Sequence, residues 1–462
     1  MKRKSLLLAA VSALLILVAG VFFMFSAKQN NGGSLLITQF PVHYDAADAA
    51  ETPSRIAFYN PGKGGKIRVL TNDFWAAGSP SVSYDGRNMV FAAIKNQGDI
   101  RQIWEMDLSS QKTRQITSCA VDCTDPVYLP DGRIAFSRRS SEEHSEGAFE
   151  LVTCKPDGSD KKRITHHPGA DLLSTVMDDG RIVVSSHSGS PEYRNAIMMV
   201  MRPDGTKAEL YYRNPAGWHT GSRFRESPDG QVVFTETDTM GFSRLVSIDV
   251  GRPLSSSKVL SGDLEGEVLS AYPVSADNWV VAYRKAGQQH SGLYNFDVVS
   301  GQISGLLHED PEWQYTELAA VGLKRLPRVL PSPVDEKKDV GAFICIDADD
   351  SDLPPVGGQS LEQRSSTIQL FGLDGLMAEM PLMDDGSFYA EVPADTPIRF
   401  VTLDESGRRM RGPSAWVWVR PNERRGCVGC HENREMSPEN RLPLAIMYEP
   451  GYKYGEQGTD GH

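Results

Sequence analysis

Five consecutive residues, Cys427-Val428-Gly429-Cys430-His431, put two thiols and an imidazole at a spacing that narrows the chemistry sharply. Cys-x-x-Cys-His is the attachment signature of c-type haem: both thiols can add to the vinyl groups, and the adjacent imidazole then lies under the iron. A covalently held haem is used for electron transfer or iron-centred chemistry. Two other readings compete. A zinc site needs a second ligand pair, and His462 is the only histidine downstream. A thioredoxin-like dithiol needs a strand-to-helix context, whereas these flanks are rich in Arg, Asn, Glu and Pro. The motif therefore predicts one covalent haem c held by Cys427 and Cys430, with His431 as axial iron ligand. Met436, Met447 and His462 are the candidates for a sixth ligand, and an open position is equally compatible.

Haem is attached to such motifs outside the bacterial cytoplasmic membrane, and the N-terminus agrees. Lys2, Arg3 and Lys4 precede an uncharged run over residues 5–27, long enough to span a bilayer as a helix. Phe25 is a poor −3 residue for cleavage after Ala27, and Val18-Ala19-Gly20 is a weaker alternative site. Residues 1–30 are therefore expected to anchor the chain, with the remainder on the periplasmic side by the positive-inside rule. A cleaved leader would leave it periplasmic or secreted. The net charge of −12, with no basic stripe, argues against nucleic acid and leaves the N-terminal helix as the only expected membrane contact. A redox partner protein is expected. Cys119 and Cys123 bracket a short loop and form a candidate disulfide or, less readily, a metal site; Cys154 and Cys345 lie in strand-like runs.

The elements that must position the motif are repetitive. Asp85-Gly86, Asp131-Gly132, Asp179-Gly180 and Asp229-Gly230 recur at steps of 46, 48 and 50, each between apolar runs. Asp-Gly in that setting is a strong hairpin signal. A second element, a strand, a turn and a run ending near Ile-Thr, recurs six times between residues 56 and 308. Four strands per repeat of about 47 residues describe a propeller blade. The expected fold is all-β: a propeller of six blades, with seven left open, over residues 34–330, then a small antiparallel β-sandwich-like domain over 331–420 and a haem-binding segment over 421–462. Residues 34–40 should supply the missing strands of the first blade, with residues 316–326 helping to close the ring. His187, Trp218 and His219 fall near strand ends and could line the channel, although a scaffold role is the default for each. Trp416 and Trp418 alternate on a short strand leading into the motif, placed either to cover the porphyrin or to fill the sandwich core.

The stretch over residues 386–400, followed by Trp416-Val-Trp-Val-Arg-Pro-Asn-Glu-Arg-Arg-Gly-Cys-Val-Gly-Cys-His-Glu432, resembles the middle domain of the hydrazine synthase alpha-subunit family. The propeller repeats, with Asp125-Pro-Val-Tyr-Leu-Pro-Asp-Gly-Arg-Ile-Ala-Phe136, resemble the same family and, more loosely, TolB-like propellers. The likeness covers roughly residues 50 to 435 and implies a haem on Cys427 and Cys430 with His431 in the usual axial place. Family members continue into a further domain with a second haem and work with partner subunits, whereas this sequence has one Cys-x-x-Cys-His. Hydrazine formation is therefore not carried over, and the catalytic residues stay unknown. Three functions remain: single-electron transfer by an exported monohaem cytochrome, a haem enzyme acting on small nitrogen or oxygen species at an open iron, and a non-redox propeller scaffold whose motif cysteines form a disulfide.

Overall fold

A computed structural model describes residues 33–42, 52–61, 65–142, 148–187, 196–214, 218–221, 223–351, 364–429 and 441–455. Among them there is no α-helix, and no helix long and apolar enough to cross a membrane. The expected anchor at residues 1–30 lies outside the described residues.

Among the described residues, six antiparallel sheets follow one another around a ring. Blades 2, 3, 4 and 6 are each built from consecutive strands beginning at Ala76–Val82, Cys123–Tyr128, Ala170–Val176 and Glu267–Pro273. In blade 5 the inner position is divided between His219–Thr220 and Arg225–Glu226, both paired with Gln231–Thr237. Blade 1 joins the two ends of this region. Trp313–Ala320 forms its inner strand, pairing antiparallel with Leu35–Pro41 from Leu35↔Ala320 to Pro41↔Trp313. Closure removes the exposed edge that an open array would present.

Side-chain chemistry explains the repeat. Each Asp-Gly turn places its glycine at positive φ, as at Gly180 (φ 91°). The recurring Ile-Thr is a clasp: its hydroxyl accepts a backbone N–H from the third strand of its own blade. Ile56 donates to Thr71 Oγ1 (2.9 Å), Ile103 to Thr117 (2.9 Å) and Leu151 to Thr165 (2.9 Å), and Leu245 donates to Ser261 Oγ (2.8 Å) in blade 5. Central strands are covered on both sides, so Asn88–Ile94 is almost entirely buried, while the outer strand Thr113–Gln115 of the same blade is exposed throughout.

The sequence does not reveal that the innermost strands are interrupted. Register shifts occur at Gly78/Ser81, Thr124/Val127, Leu173/Thr175 and Val268/Ser270, and at Thr38/Gln39 where the closing strand pairs. Such bulges re-aim side chains. Ser79 and Asp125 sit in two of them at φ 54° and 50°.

Residues 321–339 lead to a sandwich of two four-stranded sheets. One orders Gly375–Pro381, Thr367–Gly372, Arg399–Leu403 and Arg409–Arg411. The other orders Arg424–Cys427, Val340–Cys345, Phe388–Pro393 and Tyr452–Lys453, so two of its strands come from beyond residue 420. Phe343, Ile368, Leu370, Phe388, Ile398 and Val419 fill the space between the sheets.

Candidate functional site

The motif begins on the edge strand Arg424–Cys427, which runs parallel to Val340–Cys345 with Cys345 opposite Cys427. Backbone bonds carry that pairing into the motif: Ile346 N–H donates to Cys427 O (3.0 Å) and Asp347 N–H to Val428 O (3.0 Å). The buried Cys345 thiol points to Val428 O (3.8 Å), and Cys345 and Cys427 are not joined to each other despite facing one another in register. Cys427 is half-buried against the sandwich core. Gly429 passes so close to Asp350 that a Cβ there would collide with the Asp350 carbonyl oxygen, which explains a residue without a side chain between the two cysteines.

Cys430, His431, Met436 and His462 lie outside the described residues. Both flanks of 430–440 are nonetheless fastened to one residue. Asp347 holds Val428 through its N–H, and its carboxylate accepts Arg441 Nη2 (3.2 Å) and Arg364 Nη2 (2.9 Å). Arg441 Nη2 also donates to Ile346 O (3.2 Å) and Asp385 O (3.0 Å). Burial raises the Asp385 carboxyl, but Ser387 and the Leu444 N–H outweigh it and bring it below its ordinary value. Met447 ends the short 3-10 turn Leu444–Met447 and is exposed.

The segment leading into the motif is not the short strand expected but an extended stretch bridged only at Val417↔Ile398, and its tryptophans divide differently from either expectation. Val417 and Val419 pack with the sandwich core. Trp418, on the opposite face, is buried with Leu129, Leu151, Leu173 and Ile197 of blades 3 and 4 and stacks on His167 (centroids 5.4 Å apart, 22° between planes). Trp416 lies under the Arg399 guanidinium at 3.7 Å. Trp418 thus joins sandwich to propeller.

The charged residues after it do the same. Arg420 is buried; its Nε donates to Asp204 O (3.0 Å), and its Nη1 contacts His166 Nε2 (2.9 Å) and the Asp395 carboxylate. Burial lowers the His166 pKa well below its ordinary value, and Arg163 and Arg420 add to that, so a neutral ring accepts from Arg420. Glu423 receives the Lys207 N–H (2.8 Å) and the Arg420 N–H (2.8 Å), and burial raises its pKa. Arg425 donates to Trp418 O (3.1 Å) and to Ala208 O. Conspicuous charges upstream of the cysteines therefore fix where the motif stands.

The remaining candidates do not gather around Cys427. Cys119 and Cys123, considered as a disulfide, are free thiols here. Cys123 is spent on packing, fully buried with Val90, Ile103, Phe136 and Cys154, and its hydrogen bond with Cys119 lowers the Cys119 pKa to about 6 while raising its own. His187 ends its strand exposed, with its pKa lowered by partial desolvation and by nearby His219. Trp218 lies beneath Arg244 (3.7 Å). Among the described residues, no three His, Cys, Asp or Glu side chains group as metal ligands.

Comparison with known proteins agrees with this arrangement. The hydrazine synthase alpha subunit middle domain matches residues 326–432, which begins in the linker and ends just past the motif. Hydrazine synthase subunit alpha of Kuenenia stuttgartiensis is 23% identical over 497 residues, covering 79% of this chain; the chain spans 61% of that relative's length. The solved Kuenenia stuttgartiensis hydrazine synthase superposes with a TM-score of 0.78 at 19% identity, over 90% of this chain and 71% of that one. TolB from Acinetobacter baumannii gives 0.47 at 15% identity, over 63% of this chain and 67% of that one. The chain is related to the hydrazine synthase alpha subunits and shares their fold.

Proposed function

We propose that this relative of the hydrazine synthase alpha subunits is an exported monohaem c-type cytochrome that passes single electrons to a partner protein on the periplasmic side of the membrane. The observation that carries the reading is the presentation of Cys427 at the end of a strand held in fixed register, with both flanks of residues 430–440 tied to Asp347. A haem c is the group that the motif would take here. Cys427 and Cys430 would hold it by thioethers, and His431 would ligate its iron. When bound, the haem supplies one-electron chemistry at iron. The chain's own residues do the positioning. The Asp347 N–H holds Val428 where the segment leaves, its carboxylate, shared with Arg364, holds Arg441 where it returns, and the Trp418 and Arg420 contacts set its place against the propeller. The basic start and uncharged run over residues 2–27 support export and anchoring. Hydrazine synthesis belongs to the relative by name, and this reading does not extend it to this chain.

The test is the intact mass and pyridine haemochrome of the purified full chain. We expect one covalent haem per chain, lost in the Cys427→Ser/Cys430→Ser double variant. His431→Ala should keep the covalent haem and lose the low-spin Soret and α bands. A polypeptide with only its amino-acid mass would sink the reading. Rapid carbon monoxide binding by the reduced protein would replace electron transfer with chemistry at an open iron.

A further inference from the structure

The densest run of exposed large apolar side chains among the described residues lies just past the motif. Leu442 (65% exposed), Leu444, Ile446, Met447 (67%) and Tyr448 (63%) all face solvent within seven residues, while Pro443 and Ala445 between them are buried. A single exposed apolar residue is ordinary, but a contiguous group marks a contact surface.

The run is not a loose end. Leu444 N–H donates to Asp385 Oδ2 (2.9 Å), Ala445 N–H to Ser387 Oγ (3.0 Å) and Gly451 N–H to Tyr389 O (2.8 Å). Tyr452–Lys453 then joins the sheet beside Phe388–Pro393. The backbone is fastened to the sandwich while the side chains stay outside, so a contact made there has little ordering left to do.

Its place follows from the register. Cys427 stands opposite Cys345 and Cys345 opposite Phe388, and Ser387, the residue before Phe388, holds Ala445. Phe388 is two strand spacings, about 10 Å, from Cys427, so the run stands at the motif's own end of the sheet.

Carboxylates are in excess at its edge. Arg441 and Lys453, the cations of this stretch, are held by Asp347, Asp385 and Glu449, and Asp384 adds a further exposed carboxylate. The whole chain carries a net charge of −12. Two copies meeting symmetrically through this surface would set those acids against each other, and an anionic lipid surface would be repelled by them. A basic rim would be attracted.

We propose that the surface formed by residues 442–448 is the docking site of the electron-transfer partner, a small carrier protein with an apolar patch ringed by lysine and arginine. The inference rests on the haem reading and names the contact surface of that reading's partner. One electron passes between haem and partner, and no bond forms or breaks.

Calorimetric titration of the full chain with a small basic cytochrome c tests it. Saturable binding near one per chain is expected at low ionic strength, weakening steeply as salt rises. The Leu442→Ser/Tyr448→Ser double variant should weaken it at least about tenfold, and both side chains are exposed, so the fold should survive. Asp384→Lys should weaken it less and flatten the salt dependence. Intact mass of the same preparation reads the haem separately. A haem-free chain that still binds upholds the surface and sinks the haem reading. A haem-loaded chain that binds no cytochrome, or whose double variant binds like the parent, overturns the docking site and leaves the haem standing. Self-association through these residues, or their adhesion to phosphatidylglycerol vesicles, overturns it as well.

Discussion

The propeller and the sandwich that carries Cys427 use the same element in opposite ways. Among the described residues, five of the six blades are made from strands consecutive in the chain, and only the first brings in a distant one. The sheet of Cys427 draws its strands from residues 340–345, 388–393, 424–427 and 452–453, and two of its three pairings are parallel. Consecutive hairpins form from local contacts, while the second arrangement closes only after distant segments meet. The Cys-x-x-Cys-His motif begins on a strand whose partner lies far away in sequence, and contacts with the propeller add to its support.

The largest expected effect comes from cutting that support. Trp418→Ala should cost about 3–5 kcal/mol, because it empties a site walled by two blades. Calorimetry should then show the sandwich melting ahead of a propeller whose own midpoint moves less. A single transition at the parental temperature would mean that the sandwich stands alone. Next in size, Asp347→Ala should cost about 1.5–3 kcal/mol through lost charged hydrogen bonds, and should speed proteolysis between residues 429 and 441 while leaving the blades protected. Parental proteolysis would show that the flanks are held by something else.

The smallest effect concerns the propeller's own weak point. Lys324 titrates at about 8 in the fold against 10.5 for the free side chain, so between those values the unfolded chain binds a proton that the folded one does not. Stability of the parent should therefore rise with pH across that window relative to Lys324→Met, which should be the more stable of the two below pH 8. Denaturant midpoints from pH 7 to 10 check the sign, and a gap that widens with pH would contradict it.

How much of this could be read from residues alone follows the same division. The Asp-Gly turns and Ile-Thr clasps announce the blades because each signal lies within one hairpin or one sheet. Cys427-Val-Gly-Cys430-His431 points to a chemistry within five residues, and the fold adds where Cys427 stands. Trp418 does not announce its partner: alternation with Val417 and Val419 says that it faces away from them, but not that His167 waits on another domain. The bulge at Thr124/Val127 that holds Asp125, and its bond to Arg223 of another blade, depend on a closed ring and leave no mark in either stretch. The Cys119/Cys123 spacing suits a disulfide, yet Cys123 is held as an apolar core residue between two blades.

The strand Trp313–Ala320 has a consequence for biogenesis. Leu35–Pro41 must wait for a partner that leaves the ribosome almost three hundred residues later. Until then the nascent chain carries an apolar segment with an unpaired edge, open to any other extended peptide nearby. A product terminated before residue 313 would keep that edge permanently, so premature stops in this region should yield insoluble material rather than a smaller, working barrel of blades.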